Sequence, residues 1–175
     1  MPNAFRIGQG EGDMTYPGVR LREITDENRD AVCALRVRKH QRHFVASVAT
    51  SLEDAADEPE ENPWYRAVYA GDEPVGFVML SLPDTDGRYY LWRLLIDKRH
   101  QGRGIGREVL EQIADVVRAE GGTELFTSYE PGKGGPRPFY RKFGFEPTGE
   151  VDDGEIVLRL RLADRRPRPR SAQVR

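Results

Sequence analysis

Residues 94–107 read Leu94-Leu95-Ile96-Asp97-Lys98-Arg99-His100-Gln101-Gly102-Arg103-Gly104-Ile105-Gly106-Arg107, an apolar strand joined to an amphipathic helix across three alternate glycines. The strand, Tyr89 to Asp97, is too continuously apolar to leave one face in water. After the glycines, Ile105, Val109, Ile113, Val116 and Val117 recur at helical spacing and form one apolar face. Glycine allows a close backbone approach, and the first N–H groups of a helix have no internal partner. Strand, glycine loop and helix start together make a site for an anion, in particular a pyrophosphate. Arg103 and Arg107 can add charge-assisted contacts to it.

The remaining elements follow from alternation and turn residues. Val19 to Ile24 alternates as a short strand, and Thr25 or Asp26 caps a helix carrying Ala31, Val32, Leu35 and Val37. A second helical region runs near Phe44 to Ala56. Trp64 to Ala70 and Val75 to Leu82 form a hairpin about Gly71-Asp72-Glu73, and Pro83 to Gly87 turns into the long strand. Thr123 to Tyr129 is a strand, Phe139 to Lys142 ends a short helix, and Phe143 to Gly149 and Glu155 to Leu162 close the sheet. The order β-α-α-β-β-β-α-β-α-β-β predicts an α/β protein of the α+β type, with a mixed sheet and helices packed on it. Residues 18–162 form the predicted domain, with a flexible segment 1–17 before it and an Arg/Pro-rich disordered tail 163–175 after it.

Three phosphate-binding patterns compete for the glycine loop. A P-loop needs Gly-x4-Gly-Lys-Ser/Thr, and no such run exists. A dinucleotide fingerprint needs Gly-x-Gly-x-x-Gly, but residue 107 is Arg, and Glu124 sits at the start of the next strand rather than its end. Gln101-Gly102-Arg103-Gly104-Ile105-Gly106 instead matches Arg/Gln-x-x-Gly-x-Gly/Ala. Further on, Phe139-Tyr140-Arg141-Lys142-Phe143-Gly144-Phe145 matches Phe-Tyr-x-x-x-Gly-Phe. On these two motifs, in this order and with a helix and strand between them, the chain resembles the GNAT superfamily of acyl-CoA N-acyltransferases from Val19 to Leu162. Ile24-Thr25-Asp26-Glu27-Asn28-Arg29, Ser51-Leu52-Glu53-Asp54-Ala55 and Glu73-Pro74-Val75-Gly76-Phe77 are similar to the bacterial diamine (spermine/spermidine) acetyltransferases.

The resemblance implies acetyl-CoA as co-substrate and direct attack of an amine on its thioester. The backbone of Leu94, Leu95 and Ile96 would bond the pantetheine arm and polarise the thioester carbonyl, and Gln101 to Arg107, including Ile105, would hold the pyrophosphate. Tyr140 occupies the position of the superfamily's general acid, protonating the CoA thiolate or hydrogen-bonding its sulfur. Two departures stand out. Lys133 replaces an Asn that contacts the cofactor in many relatives, although a lysine can pair with phosphate. Ser128 and Trp92 stand where many relatives have an acid to take the amine's proton, which leaves Glu130 as the nearest carboxylate in sequence and a water chain as the alternative base.

Charge bears on the partner. The net charge is −2, yet Arg165 to Arg175 holds five arginines and no acid, and without them 22 basic and 29 acidic residues remain, a net of −7. An acidic body disfavours nucleic acid and suits a cationic small-molecule amine. Glu53, Asp54, Asp57, Glu58, Glu60 and Glu61 could attract a polycation or simply be solvated, and Phe44, Trp64, Tyr90 and Trp92 could line an acceptor cleft or fill the core. Phe44, Glu53 and Trp92 are the chosen acceptor-side candidates. No apolar run approaches the about 20 residues of a membrane span, and no signal-peptide pattern opens the chain, so a cytoplasmic location is expected. Cys33, the only cysteine, reads as core, and His40 and His43 lack a third ligand, so no metal is expected. A homodimer is compatible with all of this. An antibiotic or protein amine acetyltransferase, and a regulatory module that binds acyl-CoA without turnover, are the alternative readings.

Overall fold

The computed structural model describes residues 18–83 and 87–163, so the segment 1–17 and the arginine-rich tail from 164 onward lie outside the described residues. Seven strands form one mixed sheet in the order β1-β2-β3-β4-β5-β7-β6. They are β1 (Val19–Arg22), β2 (Pro63–Ala70), β3 (Glu73–Ser81), β4 (Tyr89–Ile96), β5 (Glu124–Tyr129), β6 (Glu146–Asp152) and β7 (Glu155–Arg161). The helices are α1 (Arg29–Cys33), α2 (Val48–Asp57), α3 (Ile105–Ala119) and α4 (Arg137–Phe143), with 3-10 turns at Lys39–Gln41 and Pro59–Glu61. The order of strands and α-helices is the one expected. All neighbouring strands are antiparallel except β4 and β5, which the crossover helix α3 makes parallel.

Two apolar clusters cover the two faces. On one face α3 and α4 pack Ile105, Val109, Ile113, Tyr140 and Phe143 over Val78, Leu80, Leu91, Leu125 and Leu158. On the other, α1 and α2 pack Val32, Val48 and Leu52 over Ala67, Phe77, Met79 and Leu95, and Cys33 lies against this second cluster. A wholly buried side chain such as Ile113 (0% exposed) contributes about 1.5–3 kcal/mol.

Four boundaries differ from the sequence reading. The first helix begins at Arg29 rather than after Thr25, because the Asn28 amide accepts from the Thr25 N–H (2.9 Å) and donates to the Glu23 carbonyl (2.9 Å), holding 25–28 as a turn. It ends at Cys33, so Leu35 and Val37 are buried from an irregular segment. The second helix starts only after Ser47, whose hydroxyl accepts the Thr50 N–H at 3.1 Å, which leaves Phe44 in the preceding loop. Phe143 closes α4 instead of opening a strand. Gly144 at φ +121° ends that helix, and the strand starts at Glu146.

Candidate active site

The ladder between β4 and β5 stops early. Its pairs are Tyr89 with Leu125, Tyr90 with Phe126, and Leu91 with Thr127. From Trp92 to Ile96, β4 has no β5 partner among the described residues, so the two strands fork. The cause is a bulge. Met79 of β3 lies opposite Arg93 and Leu80 opposite Leu91, so Trp92 is an extra residue without a partner on β3. The bulge turns Trp92 and Arg93 to the same side. Trp92 packs on the α1–α2 cluster, and Arg93 Nη2 reaches Asp54 Oδ2 of α2 at 3.2 Å. The fork opens into a cleft of about 1680 Å³. Free backbone groups along one wall of such a fork suit an extended amide-bearing arm.

The glycine loop closes one end of the cleft. Gly102 (φ +75°) and Gly104 (φ +80°) adopt left-handed conformations, and Gly104 is the N-cap of α3 with no side-chain acceptor over the first turn. A Cβ on Gly106 would stand 3.1 Å from the Phe139 ring of α4, so that glycine lets two elements approach. The loop is braced from behind. Gln101 Nε2 donates to the Ile96 carbonyl (2.9 Å) and to Gln41 Oε1 (2.8 Å), so its amide shapes the loop as well as lining the cleft. Arg103, Arg107 and Lys142 also line the cleft and bring positive charge to this end. The helix N-terminus and these cations fit a pyrophosphate.

Asp97 anchors the loop, a role the sequence reading did not assign. The carboxylate is 3% exposed and accepts from the Arg36 N–H (3.0 Å), the Arg99 N–H (3.0 Å) and Arg99 Nε (2.8 Å). Burial alone would raise its pKa, but these three donors outweigh it and hold the carboxyl below the usual range. That stabilisation is complete above the unfolded carboxyl's pKa of about 4 and is lost as pH falls through the lower folded value. Asp97→Ala should cost about 2–3 kcal/mol, a loss of roughly 4–12 °C in Tm at pH 7 that shrinks on acidification. Thermal melts of both proteins between pH 7 and pH 3 check this, and a pH-independent gap would contradict it.

At the fork, Tyr140 from α4 is 7% exposed and hydrogen-bonds Thr127, whose hydroxyl donates to the Leu91 carbonyl at 3.0 Å. Burial pushes its phenol up to about 12; the Thr127 bond opposes this, and nearby Tyr90 and Glu155 add to it. On the opposite face, the Tyr90 phenol hydrogen-bonds Ser128, and the Ser128 hydroxyl donates to a Glu155 carboxylate oxygen.

The other expected site residues are placed unevenly. Leu94, Ile96, Ile105, Trp92 and Phe44 line the cleft, and Phe44 also packs on the Gly132–Gly135 segment. Leu95 points its side chain into the α1–α2 cluster, leaving only its backbone near the fork. Lys133, Glu53 and Glu130 are exposed and do not line the cleft. His43 stacks on Phe44 with ring centroids 3.8 Å apart, and His40 lies over Gly134. Among the described residues no group of three or more His, Cys, Asp or Glu could hold a metal ion, and no helix is long and apolar enough to cross a membrane. Glu155, Asp152 and Asp153 line the cleft without having been singled out, because the turn that presents them is remote in sequence from the motifs.

Comparison with known proteins accounts for this arrangement. Residues 20–145 match the model of the acetyltransferase (GNAT) family. The chain is 32% identical over 154 residues to the spermine/spermidine N(1)-acetyltransferase of Bacillus subtilis, covering 80% of this chain and 96% of that protein. It is 36% identical over 123 residues to the peptidyl-lysine N-acetyltransferase YjaB of Escherichia coli, covering 67% and 76%. The PaiA N-acetyltransferase of Thermoplasma acidophilum, solved with coenzyme A, superposes with a TM-score of 0.63 at 14% identity over 82% of this chain and 99% of that one. The chain therefore belongs to the acetyltransferase (GNAT) family, and its reaction is the acetyl-CoA-dependent acetylation of an amine.

Proposed function

We propose that the acceptor is a small polycationic amine of the polyamine type. The observation that carries this is the charge polarity of the cleft. Its glycine-loop end presents Arg103, Arg107 and Lys142. Its other end, beside Tyr90, carries carboxylates on two sides: Glu58, Glu60 and Glu61 from the turn after α2, and Asp152, Asp153 and Glu155 from the β6–β7 hairpin. Glu61 is placed there by Ser81, which bonds its carboxylate at 3.0 Å and stands opposite Tyr90 in the β3–β4 ladder. Arg88 and Arg93 also line the cleft, but Glu150 (3.3 Å) and Asp54 (3.2 Å) pair with them. One end thus matches a pyrophosphate and the other an amine with several positive charges. The likeness to the Bacillus subtilis spermine/spermidine enzyme supports the same reading.

In this reading the β4 backbone from Trp92 to Ile96 aligns the thioester, and Trp92 and Phe44 flank the acceptor. Tyr140 steadies the departing sulfur from the α3–α4 face. The test is an acceptor panel of spermidine, kanamycin and an N-terminally blocked lysine peptide, with acetyl-CoA, followed by thiol release. Spermidine should lead in kcat/KM by about tenfold, and the lead should shrink at high salt as the exposed carboxylates are screened. Turnover of kanamycin or the peptide without turnover of spermidine would sink the polyamine assignment and leave the family intact.

A further inference from the structure

Acetylation of an amine needs an outlet for protons, and the expected acids are missing from the cleft. Trp92 and Ser128 carry no carboxylate, and Glu130 is exposed outside the cleft lining. The ammonium form of the acceptor must lose two protons during the reaction. One ends on the CoA sulfur, and the other must leave through the protein or solvent.

We propose that Tyr90, Ser128 and Glu155 form a proton relay that ends on the Glu155 carboxylate and deprotonates the acceptor amine. The three residues come from different strands, β4, β5 and β7, and all of them line the cleft. Ser128 is opposite Val157 in the β5–β7 ladder and Tyr129 opposite Ile156, which brings the start of β7 alongside Ser128. The donors run in one direction. The Tyr90 phenol meets the Ser128 hydroxyl, and the Ser128 hydroxyl meets the carboxylate. Tyr90 is also on the second-last rung of the β4–β5 ladder, one residue before Leu91, so its phenol stands beside the opening where the amine must approach.

The relay is separated from Tyr140 by the sheet. Thr127 and Tyr140 belong to the α3–α4 side, whereas Ser128, the next residue of β5, points to the opposite face. A group taking protons from nitrogen and a group serving sulfur then sit on opposite sides of the carbonyl that changes partners.

Atoms and electrons balance in this scheme. The amine proton passes to the Tyr90 oxygen as the Tyr90 proton passes to Ser128 and the Ser128 proton to Glu155. The freed nitrogen lone pair forms the C–N bond, the C–S bond breaks, and the electron pair leaves on sulfur. The tetravalent nitrogen then loses its second proton, so that one proton ends on the CoA thiol and one reaches solvent through the carboxylate.

Other charged groups face the relay. Asp152 and Glu150 from β6 act on Tyr90 together with Glu155 itself, and Arg88 is paired with Glu150. Tyr140 of α4 feels Tyr90 and Glu155 from the other side of the sheet, Asp153 stands on the adjoining turn, and Glu58, Glu60 and Glu61 line the cleft with the relay. Burial, ahead of these carboxylates, raises the Tyr90 phenol, which keeps it protonated and able to pass a proton on.

The inference rests on the N-acetyltransferase chemistry of the chain and on no particular acceptor. Glu155→Gln keeps the shape and removes the proton acceptor. With spermidine, kcat at pH 7 should fall about 30-fold, and the KM for acetyl-CoA should stay within about twofold. Between pH 7 and pH 10 the deficit should close to within about threefold, because the amine (pKa about 10) then arrives with its lone pair free. Ser128→Ala and Tyr90→Phe should show the same closing deficit, and Ser128→Thr, which keeps the hydroxyl, should recover most of it. These variants carry the test if Glu155→Gln does not fold. Unchanged kcat, or a loss constant with pH, would overturn the relay. If only the lysine peptide or kanamycin is turned over, the polyamine reading falls and the same profiles on that amine decide the relay. A wild-type protein inert toward every amine would overturn both.

Discussion

Gly104→Asp should abolish acetyl-CoA binding while leaving a folded protein. Gly104 caps α3 in a left-handed conformation, and the first turn of that helix has no side-chain acceptor of its own. An aspartate there would place its carboxylate where a pyrophosphate meets the helix N-terminus, and would satisfy those N–H groups from within. Two charges about 4 Å apart near a protein surface interact by about 4 kcal/mol, which corresponds to a loss of about 10³-fold in Kd. The backbone strain of a Cβ in this region costs about 1–2 kcal/mol, a few degrees of Tm. Gly104→Ala carries the same strain without the charge, so calorimetry on the pair separates the two effects. Equal acetyl-CoA affinity in wild type and a folded Gly104→Asp would remove the pyrophosphate from this loop.

Tyr140→Phe should lower kcat by about 10²-fold with little change in acetyl-CoA affinity. The hydroxyl is the only group removed, and the ring keeps its contacts with Phe139 and Phe145. Its phenol is pushed up to about 12, mainly by burial. An ordinary thiol is a stronger acid than this phenol, so complete proton transfer from Tyr140 to the leaving sulfur runs uphill. The group is better suited to donate a hydrogen bond to the developing thiolate, and such a charge-assisted bond contributes about 1.5–3 kcal/mol. Rapid-quench measurement of the chemical step, with calorimetric Kd for acetyl-CoA, checks both halves. An unchanged rate would make Tyr140 structural; an unchanged rate with weaker binding would make it a cofactor contact.

Much of this was legible in the chain itself, and the limits of legibility are physical. The strand, loop and helix from Tyr89 to Ala119 are written in local signals: apolar continuity, glycines and helical spacing. The same holds for the hairpin β2–β3 about Gly71. What local signals could not show was which acids meet. Ser128 and Glu155 are 27 residues apart, and Arg93 and Asp54 are 39 apart; each pair exists only because the sheet and α2 bring it together. Proximity in sequence favoured Glu130, but the chain turns outward after Tyr129 and leaves that carboxylate exposed. Glu53 and Lys133 likewise have the right charge on surfaces that do not line the cleft. Of the acids that do line it, Glu58, Glu60 and Glu61 lay in a run that the sequence left open between attracting a polycation and being solvated, and Asp152, Asp153 and Glu155 lay in a hairpin that no motif marked.

The bulge at Trp92 also bears on how this scaffold can diversify. In a regular strand every side chain is tied to neighbours on both flanking strands, so a change of size or polarity is felt across the sheet. Trp92 has no opposite number in either ladder, yet it faces the cleft. Parity changes at this point: Tyr89 and Leu91 serve the α3 side before it, and Leu94 and Ile96 serve that side after it. A residue exempt from pairing at a phase change can be exchanged without disturbing the register of those on either side. Selection can therefore explore new cleft surfaces at position 92 while the folding information in β4 stays intact.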